Sequence, residues 1–143
     1  MKYTYYPGCS LHGACGPYDT SLKRVMMLLG QEINELEDWN CCGATMYMSV
    51  RETVALSVSA RNLALAEQVG TTLMAPCSAC YTTLMKTNRY LREVPKMREQ
   101  VTEALAEADM SYNMSVKVRH PLDIIVNDIG VDSVVRRAKR KLD

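Results

Sequence analysis

Cys41 and Cys42 are neighbours in the chain, and few chemistries use a vicinal thiol pair. Three other cysteines extend the pattern: Cys9 upstream, and Cys77 and Cys80 in the run Cys77-Ser78-Ala79-Cys80 downstream. No cysteine follows Cys80, and the sixth, Cys15, lies outside the spacing. Thiols placed for packing would be scattered along the hydrophobic pattern. These are gathered at three turn-like segments.

The pair itself limits the chemistry. A trans peptide sets neighbouring α-carbons about 3.8 Å apart, below the roughly 4.4–6.8 Å spanned by ordinary disulfides. A Cys41–Cys42 bridge would therefore be strained and is not expected. Cys77-x-x-Cys80 resembles a redox dithiol, with its first thiol placed where a helix N-terminus lowers the pKa. That reading leaves Cys9, Cys41 and Cys42 without a role. A closed zinc site needs four ligands. Zinc would leave one of the five thiols spare, and adjacent ligands are not its usual spacing. Iron–sulfur clusters also take cysteine thiolates, one per iron in the ordinary four-iron case. A fifth thiolate requires an iron with two ligands or a bridging sulfur, and a vicinal pair suits either. The residues alone leave the dithiol, the zinc site and the cluster open.

The elements that must position these thiols read as one alternating α/β unit. A chain of 143 residues, 48% hydrophobic and 23% charged, is expected to form one domain with a core of its own. Residues 2–8 suit a short strand that turns at Pro7-Gly8 into Cys9. Gly16-Pro17 opens a helix with Tyr18, Leu22, Val25, Met26 and Leu29 at helical spacing, stopped by Gly30. A second strand is expected over 32–37, leading into Trp39-Asn40-Cys41-Cys42-Gly43. A helix from about Ser49 to Val69 carries Val54, Val58, Leu65 and Val69 on one side and Leu56, Ala60 and Leu63 on the other. It should be buried on two sides. Thr71–Ala75 reads as a core strand before Pro76-Cys77, and Ser78 begins a helix to about Leu91, with Tyr81, Leu84, Met85 and Leu91 inward. Pro95 starts another, with Met97, Val101, Leu105 and Ala108 on one face. Val116–Val118 is a fourth strand, His120-Pro121 ends it, and a helix over 122–129 stops at Gly130. Asp132 caps a last helix with a basic end.

This order predicts a Rossmann-like layered α/β fold with a short, mostly parallel sheet. In such folds the ligand crevice lies beyond the carboxyl ends of the strands. Cys9, Cys41-Cys42, Cys77 and His120 each follow a strand, so they should converge on one edge of the sheet.

Charge and hydropathy exclude several partners. Five of the 17 basic residues are Arg136, Arg137, Lys139, Arg140 and Lys141, which leaves 12 basic against 15 acidic residues up to Asp132. A general nucleic-acid surface is not expected on that balance. No stretch has transmembrane length and the N-terminus lacks an apolar signal region, so a reducing, cytoplasmic setting is expected. Ten Met and no Phe describe a sulfur-rich, adaptable core.

The runs Tyr6-Pro7-Gly8-Cys9-Ser10-Leu11, Cys41-Cys42-Gly43 and Pro76-Cys77-Ser78-Ala79-Cys80 resemble the CCG cysteine-rich domain family. The likeness is to the B-type subunit of heterodisulfide reductase and its relatives. His120-Pro121-Leu122 and Ile129-Gly130-Val131-Asp132 extend it over essentially the whole chain. It implies a non-cubane 4Fe-4S cluster held by Cys9, Cys41, Cys42, Cys77 and Cys80, with Cys41 and Cys42 as the catalytic thiols. It also implies iron–sulfur and flavin partner subunits and a disulfide as the electron acceptor. An aerobic preparation would be expected to lose the cluster or exchange it for zinc or disulfides. Family members of this type carry two CCG motifs, and this sequence has one. Residues 1–143 are thus expected to be one CCG domain, the N-terminal half of a two-domain subunit, with pairing to a second copy as another arrangement.

Two other functions fit the same pattern. One is a zinc-stabilised or metal-free scaffold or interaction domain; the other is the iron–sulfur subunit of a glycolate- or lactate-type oxidation system. Among smaller candidates, Cys15 reads as a bystander and His12 as solvent-exposed. His120 either serves the site or caps a helix. Trp39 either shields the site or packs. Ser10, Gly43 and Ser78 are expected to bring backbone and hydroxyl donors close to the sulfurs. The basic last helix is expected to be a solvated face or a docking surface.

Overall fold

The computed structural model describes residues 1–44, 47–70 and 72–140. Thr71 of the expected third strand and Lys141 of the basic end lie outside them. The elements run β1 Lys2–Tyr5, α1 Gly8–His12, α2 Gly16–Leu28, β2 Glu32–Glu35, α3 Tyr47–Val50, α4 Glu52–Val69, β3 Thr72–Met74, α5 Ser78–Glu93, α6 Pro95–Ala106, β4 Lys117–Arg119, α7 Pro121–Ile124 and α8 Val131–Arg137. A π-helical turn, Ile125–Ile129, joins the last two helices.

Among the described residues, four strands form one sheet in the order β2-β1-β3-β4. Every pairing is parallel, with Tyr3 opposite Ile33, Thr4 opposite Leu73, and Leu73 opposite Val118. The chain leaves β1 toward β2 and then crosses back to β3, so the direction of winding reverses between β1 and β3. That reversal opens the crevice at their carboxyl ends.

Side chains alternate between the faces of a strand. Tyr3, Tyr5 and Met74 point to one face, where Leu11, Leu22, Met26 and Ile124 meet them. Leu73 points to the other, into a core with Tyr6, Leu36, Leu63, Ala66, Leu84, Val116 and Val118. A third cluster, Leu56, Ala60, Leu91, Val101 and Leu105, lies among α4, α5 and α6. Helix α4 is therefore covered by the sheet on one side and by other helices on another, as its pattern predicts. The faces differ in detail from the expectation: Ala55, Leu56, Ser59, Ala60, Asn62, Leu63, Ala64 and Ala66 are buried, while Val54 and Val69 are exposed. Periodicity assigned the large residues inward, but small residues let α4 approach its neighbours closely.

Other departures are local. Tyr18, Val25 and Met85 are exposed, since each lies at the margin of its helix's buried stripe. Helix α1 replaces the expected turn at Cys9. Gly130, not Asp132, occupies the cap position of α8, and none of that helix's residues is buried. Asp132 lies in its first turn.

Arg119 ties β4 to the segment that follows it. Its buried guanidinium meets Asp123 and Asp128, each at 2.6 Å, and Tyr3 donates its hydroxyl to Asp128 at 2.9 Å. Arg119 holds both carboxyls below the usual Asp range. Burial, and then the bond to Asp128, push the Tyr3 phenol up to about 12. These shifts have opposite consequences for pH. The Asp groups stabilise the fold fully above their unfolded value of ~3.9, and that contribution is lost as pH falls through their lower folded values. Neutral Tyr3 stabilises fully below its unfolded value of ~10, and that contribution is lost as pH climbs toward its folded value. Thermal melts should therefore weaken at both ends, and Tyr3→Phe should remove about one proton's slope from the alkaline limb. An unchanged alkaline limb in Tyr3→Phe would show that the phenol is not held neutral by the fold.

Candidate metal centre

The site starts at the carboxyl end of β1. Tyr6 is fully buried, and Gly8 then begins α1 with φ +72°. A β-carbon on Gly8 would come within 2.8 Å of Cys80 Sγ. Both backbone conformation and space thus demand glycine here. Cys9 follows on α1 with its side chain exposed to solvent.

The loop after β2 carries the vicinal pair and is fixed from α4. Asn62, fully buried in the middle of that helix, accepts from the Asn40 N–H at 2.9 Å and donates to the Asn40 carbonyl at 3.0 Å. The same carbonyl accepts the Tyr6 hydroxyl at 2.7 Å. Asn40 in turn donates to the Cys41 carbonyl at 2.9 Å and the Val58 carbonyl at 3.0 Å. Gly43, at φ +80°, lets the chain pass within reach of the Ala55 carbonyl, 3.1 Å from where a β-carbon would sit. The result points Cys41 outward and buries Cys42.

The third pair sits at the end of β3. Cys77 occupies the cap position of α5, and Cys80 lies buried in its first turn. All three loops reach the same edge of the sheet, as expected from a parallel fold.

There the five sulfurs act on one another as a chain. Each thiol bears on the ionisation of a neighbour: Cys9 on Cys41, Cys41 on Cys42, Cys42 on Cys80, and Cys77 on Cys80. The central link, Cys42 Sγ to Cys80 Sγ, is 3.3 Å. Either sulfur can donate across it, and the surroundings choose. The Cys80 thiol and the N–H of Ala44 favour a Cys42 thiolate despite burial, bringing its pKa down to about 6. Cys80 keeps the shared proton and is pushed up by Cys42 and by burial. Burial pushes the Cys77 thiol up, but the Ser10 hydroxyl and the N–H groups of Cys80 and Ala79 outweigh it and leave its pKa lowered. This is the helix N-terminal effect anticipated for that thiol, although its sulfur makes no capping hydrogen bond of regular geometry. Ser10 Oγ is likewise buried without a regular partner and leans toward this sulfur. The Gly43 N–H favours a Cys41 thiolate, but burial and the neighbouring Cys42 and Cys9 raise its pKa. Tyr6 backs the group: burial and then Cys42, Cys80, Cys41 and Cys9 push its phenol up.

Among the described residues, no three His, Cys, Asp or Glu side chains converge on a point that would hold a single metal ion. Thiolates are soft donors, suited to iron–sulfur clusters or zinc.

The smaller candidates separate clearly. Cys15 is exposed and outside the sulfur chain. His120 caps α7, its Nδ1 accepting from Leu122 N–H at 3.3 Å. Its Nε2 faces the Pro76 carbonyl at 3.0 Å, which fixes the ring beside the Cys77 loop rather than on a sulfur. Trp39 packs edge-on against Tyr6, with ring centroids 5.5 Å apart. His12 is half exposed and edge-on to Trp39 at 4.9 Å. Sequence reasoning missed Tyr6 and Asn62 as site residues. A polar Asn62 in an apolar helix was the available signal for the second.

This site and fold define the class: the chain belongs to the CCG cysteine-rich domain family, whose profile matches residues 3–85. Within that family it is similar to a heterodisulfide reductase B-like protein of Archaeoglobus profundus, at 29% identity over all of this chain and 48% of that protein. The 8-methylmenaquinol:fumarate reductase membrane anchor subunit of Wolinella succinogenes is 31% identical over 90% of this chain and 44% of that protein. The B-type subunit of the ferredoxin/F420H2-dependent CoB-CoM heterodisulfide reductase of Methanosarcina acetivorans is 24% identical over 93% of this chain and 45% of its own. The chain thus spans about half the length of the curated relatives it matches. A hypothetical protein from Helicobacter pylori has the same fold, with TM-score 0.75, 19% identity, and coverage of 87% of this chain and 25% of that one. Among the described residues, no helix is long and apolar enough to cross a membrane.

Proposed function

We propose that the chain is a cluster-binding unit of a heterodisulfide-reductase-like complex, in which Cys9, Cys41, Cys42, Cys77 and Cys80 hold a non-cubane 4Fe-4S cluster. The observation that carries this reading is that the loops after β1, β2 and β3 meet at one sheet edge: Cys42 Sγ lies 3.3 Å from Cys80 Sγ, and a β-carbon on Gly8, beside Cys9, would lie 2.8 Å from the same sulfur. Five donors exceed the four of a closed zinc site.

When bound, the cluster supplies one-electron redox chemistry to a disulfide substrate. The chain's own groups prepare for it. Cys42 stands ready as a thiolate, while Ser10 and the first N–H groups of α5 favour the thiolate of Cys77. Tyr6 and the α4 contacts wall the buried side, whereas Cys9 and Cys41 face solvent, where a disulfide would arrive. In this reading Cys41 and Cys42 are the catalytic pair, and residues 1–143 correspond to one of two CCG domains. Iron–sulfur and flavin subunits in the cytoplasm supply the electrons.

Anaerobic reconstitution tests the assignment. About four irons and four acid-labile sulfides per chain are expected, one thiolate or more to each iron. Stoichiometric zinc without sulfide would overturn it.

A further inference from the structure

Glu35 ends β2 and was not marked out by any motif, yet it collects donors from three directions. Its Oε1 meets His12 Nε2 at 2.9 Å and accepts from Trp39 Nε1 at 3.2 Å. Its Oε2 accepts from Lys23 Nζ at 3.3 Å. His12 lies three residues after Cys9 and closes α1, while Trp39 lies two residues before Cys41. One carboxylate therefore grips both loops that carry the exposed thiols Cys9 and Cys41.

We infer that Glu35 is a positioning residue that clasps the Cys9 loop to the Cys41-Cys42 loop and so sets the approach of their thiols. The inference deepens the proposed function, since it concerns the same five-thiol site. An exposed ion pair taken alone contributes little. Here the carboxylate acts through geometry. It orients the Trp39 indole, whose ring rests edge-on against Tyr6 and the His12 ring. Lys23 restrains the carboxylate from α2 and also pairs with Asp19 at 2.8 Å. Asp19 in turn accepts the buried Tyr5 hydroxyl at 2.5 Å. The clasp is thereby referred back to β1, the strand that delivers Cys9. The other three thiols do not depend on it: Cys42 is set by α4, and Cys77 and Cys80 by α5.

The test uses the full chain, metal-free and under anaerobic conditions, with dibromobimane, which becomes fluorescent when it bridges two nearby thiols. Peptide mapping separates the Cys9–Cys41 product from the Cys77–Cys80 product. Glu35→Ala should lower the Cys9–Cys41 product by a factor of about 2–5, the scale of one exposed pair and one indole hydrogen bond. The Cys77–Cys80 product should stay constant. Glu35→Gln keeps an acceptor for both donors and should retain most of the product. Trp39→Phe, which keeps a ring but removes the N–H, should fall between the two. An unchanged Cys9–Cys41 product in Glu35→Ala overturns the clasp, as does an equal loss of both products. Because the assay needs no cluster, a chain that takes up neither iron nor sulfide defeats the proposed function and leaves this result to stand or fall by itself.

Discussion

Cys42→Ser should lower the iron and acid-labile sulfide retained after anaerobic reconstitution by more than about tenfold, since even outer-shell changes at metal sites cost 10–100-fold. Cys42 links two loops of the site: it follows Cys41 directly in sequence, and its sulfur lies 3.3 Å from that of Cys80. It is buried, so no solvent ligand can replace it cheaply, and it is the thiol that its surroundings bring nearest to an ionised state at neutral pH. A serine hydroxyl stays protonated there and is a hard donor, poorly matched to iron–sulfur centres. Cys15→Ser is the control, because Cys15 is exposed and outside the sulfur chain. It should load like the parent chain. Equal loading of Cys42→Ser and the parent would remove the five-thiol assignment. It would leave an ordinary cluster held by the other four thiols, one to each iron.

Asn62→Leu should destabilise the chain by about 2 kcal/mol, the cost of leaving a buried donor unpaired. At this size that corresponds to a fall in Tm of roughly 5–10 °C. Leucine preserves the side chain's approximate volume but offers nothing to the Asn40 N–H, whose partner is Asn62 Oδ1. The Asn40 carbonyl keeps the Tyr6 hydroxyl, so the loss falls mainly on one group. The functional consequence is larger than the energy suggests. Asn40 leads directly into the vicinal pair, and releasing it loosens the loop that buries Cys42. Thiol-alkylation mapping should show Cys42 reacting faster in Asn62→Leu, with Cys80 less affected because α5 holds it. An unaltered melt together with unaltered Cys42 reactivity would mean that the loop is positioned by other contacts.

Arg61 is the obvious rival for that role. It bonds the Asp38 carbonyl and carboxylate and Asn40 Oδ1 at 2.7, 2.5 and 3.0 Å. Its ion pair is partly solvated, with 77% of the Asp38 side chain exposed. Screening by water makes such pairs weak, so the buried Asn62 amide is the stronger anchor.

The sequence by itself marked the residues of the candidate site. Cysteine spacing marked five of six thiols, and strand–helix alternation placed their loops at one end of a parallel sheet. These signals are local: they depend on residue type, turn chemistry and hydrophobic period. Cys15 could be set aside on spacing alone. Tertiary structure decided what the spacing leaves undefined. Burial separated Cys42 and Cys80 from the exposed Cys9 and Cys41, although all four are the same residue type. Gly8 reads in the sequence as an ordinary turn glycine, yet the space beside it is filled by Cys80, some 70 residues away in the chain. His120 could have faced a sulfur or capped a helix, and only the approach of Pro76 to its Nε2 resolved the choice. Asn62 and Glu35 act through partners on other elements, so no window of the sequence contains both ends of their contacts. Patterns within a segment write themselves into the sequence, whereas contacts between segments exist only once the chain has folded.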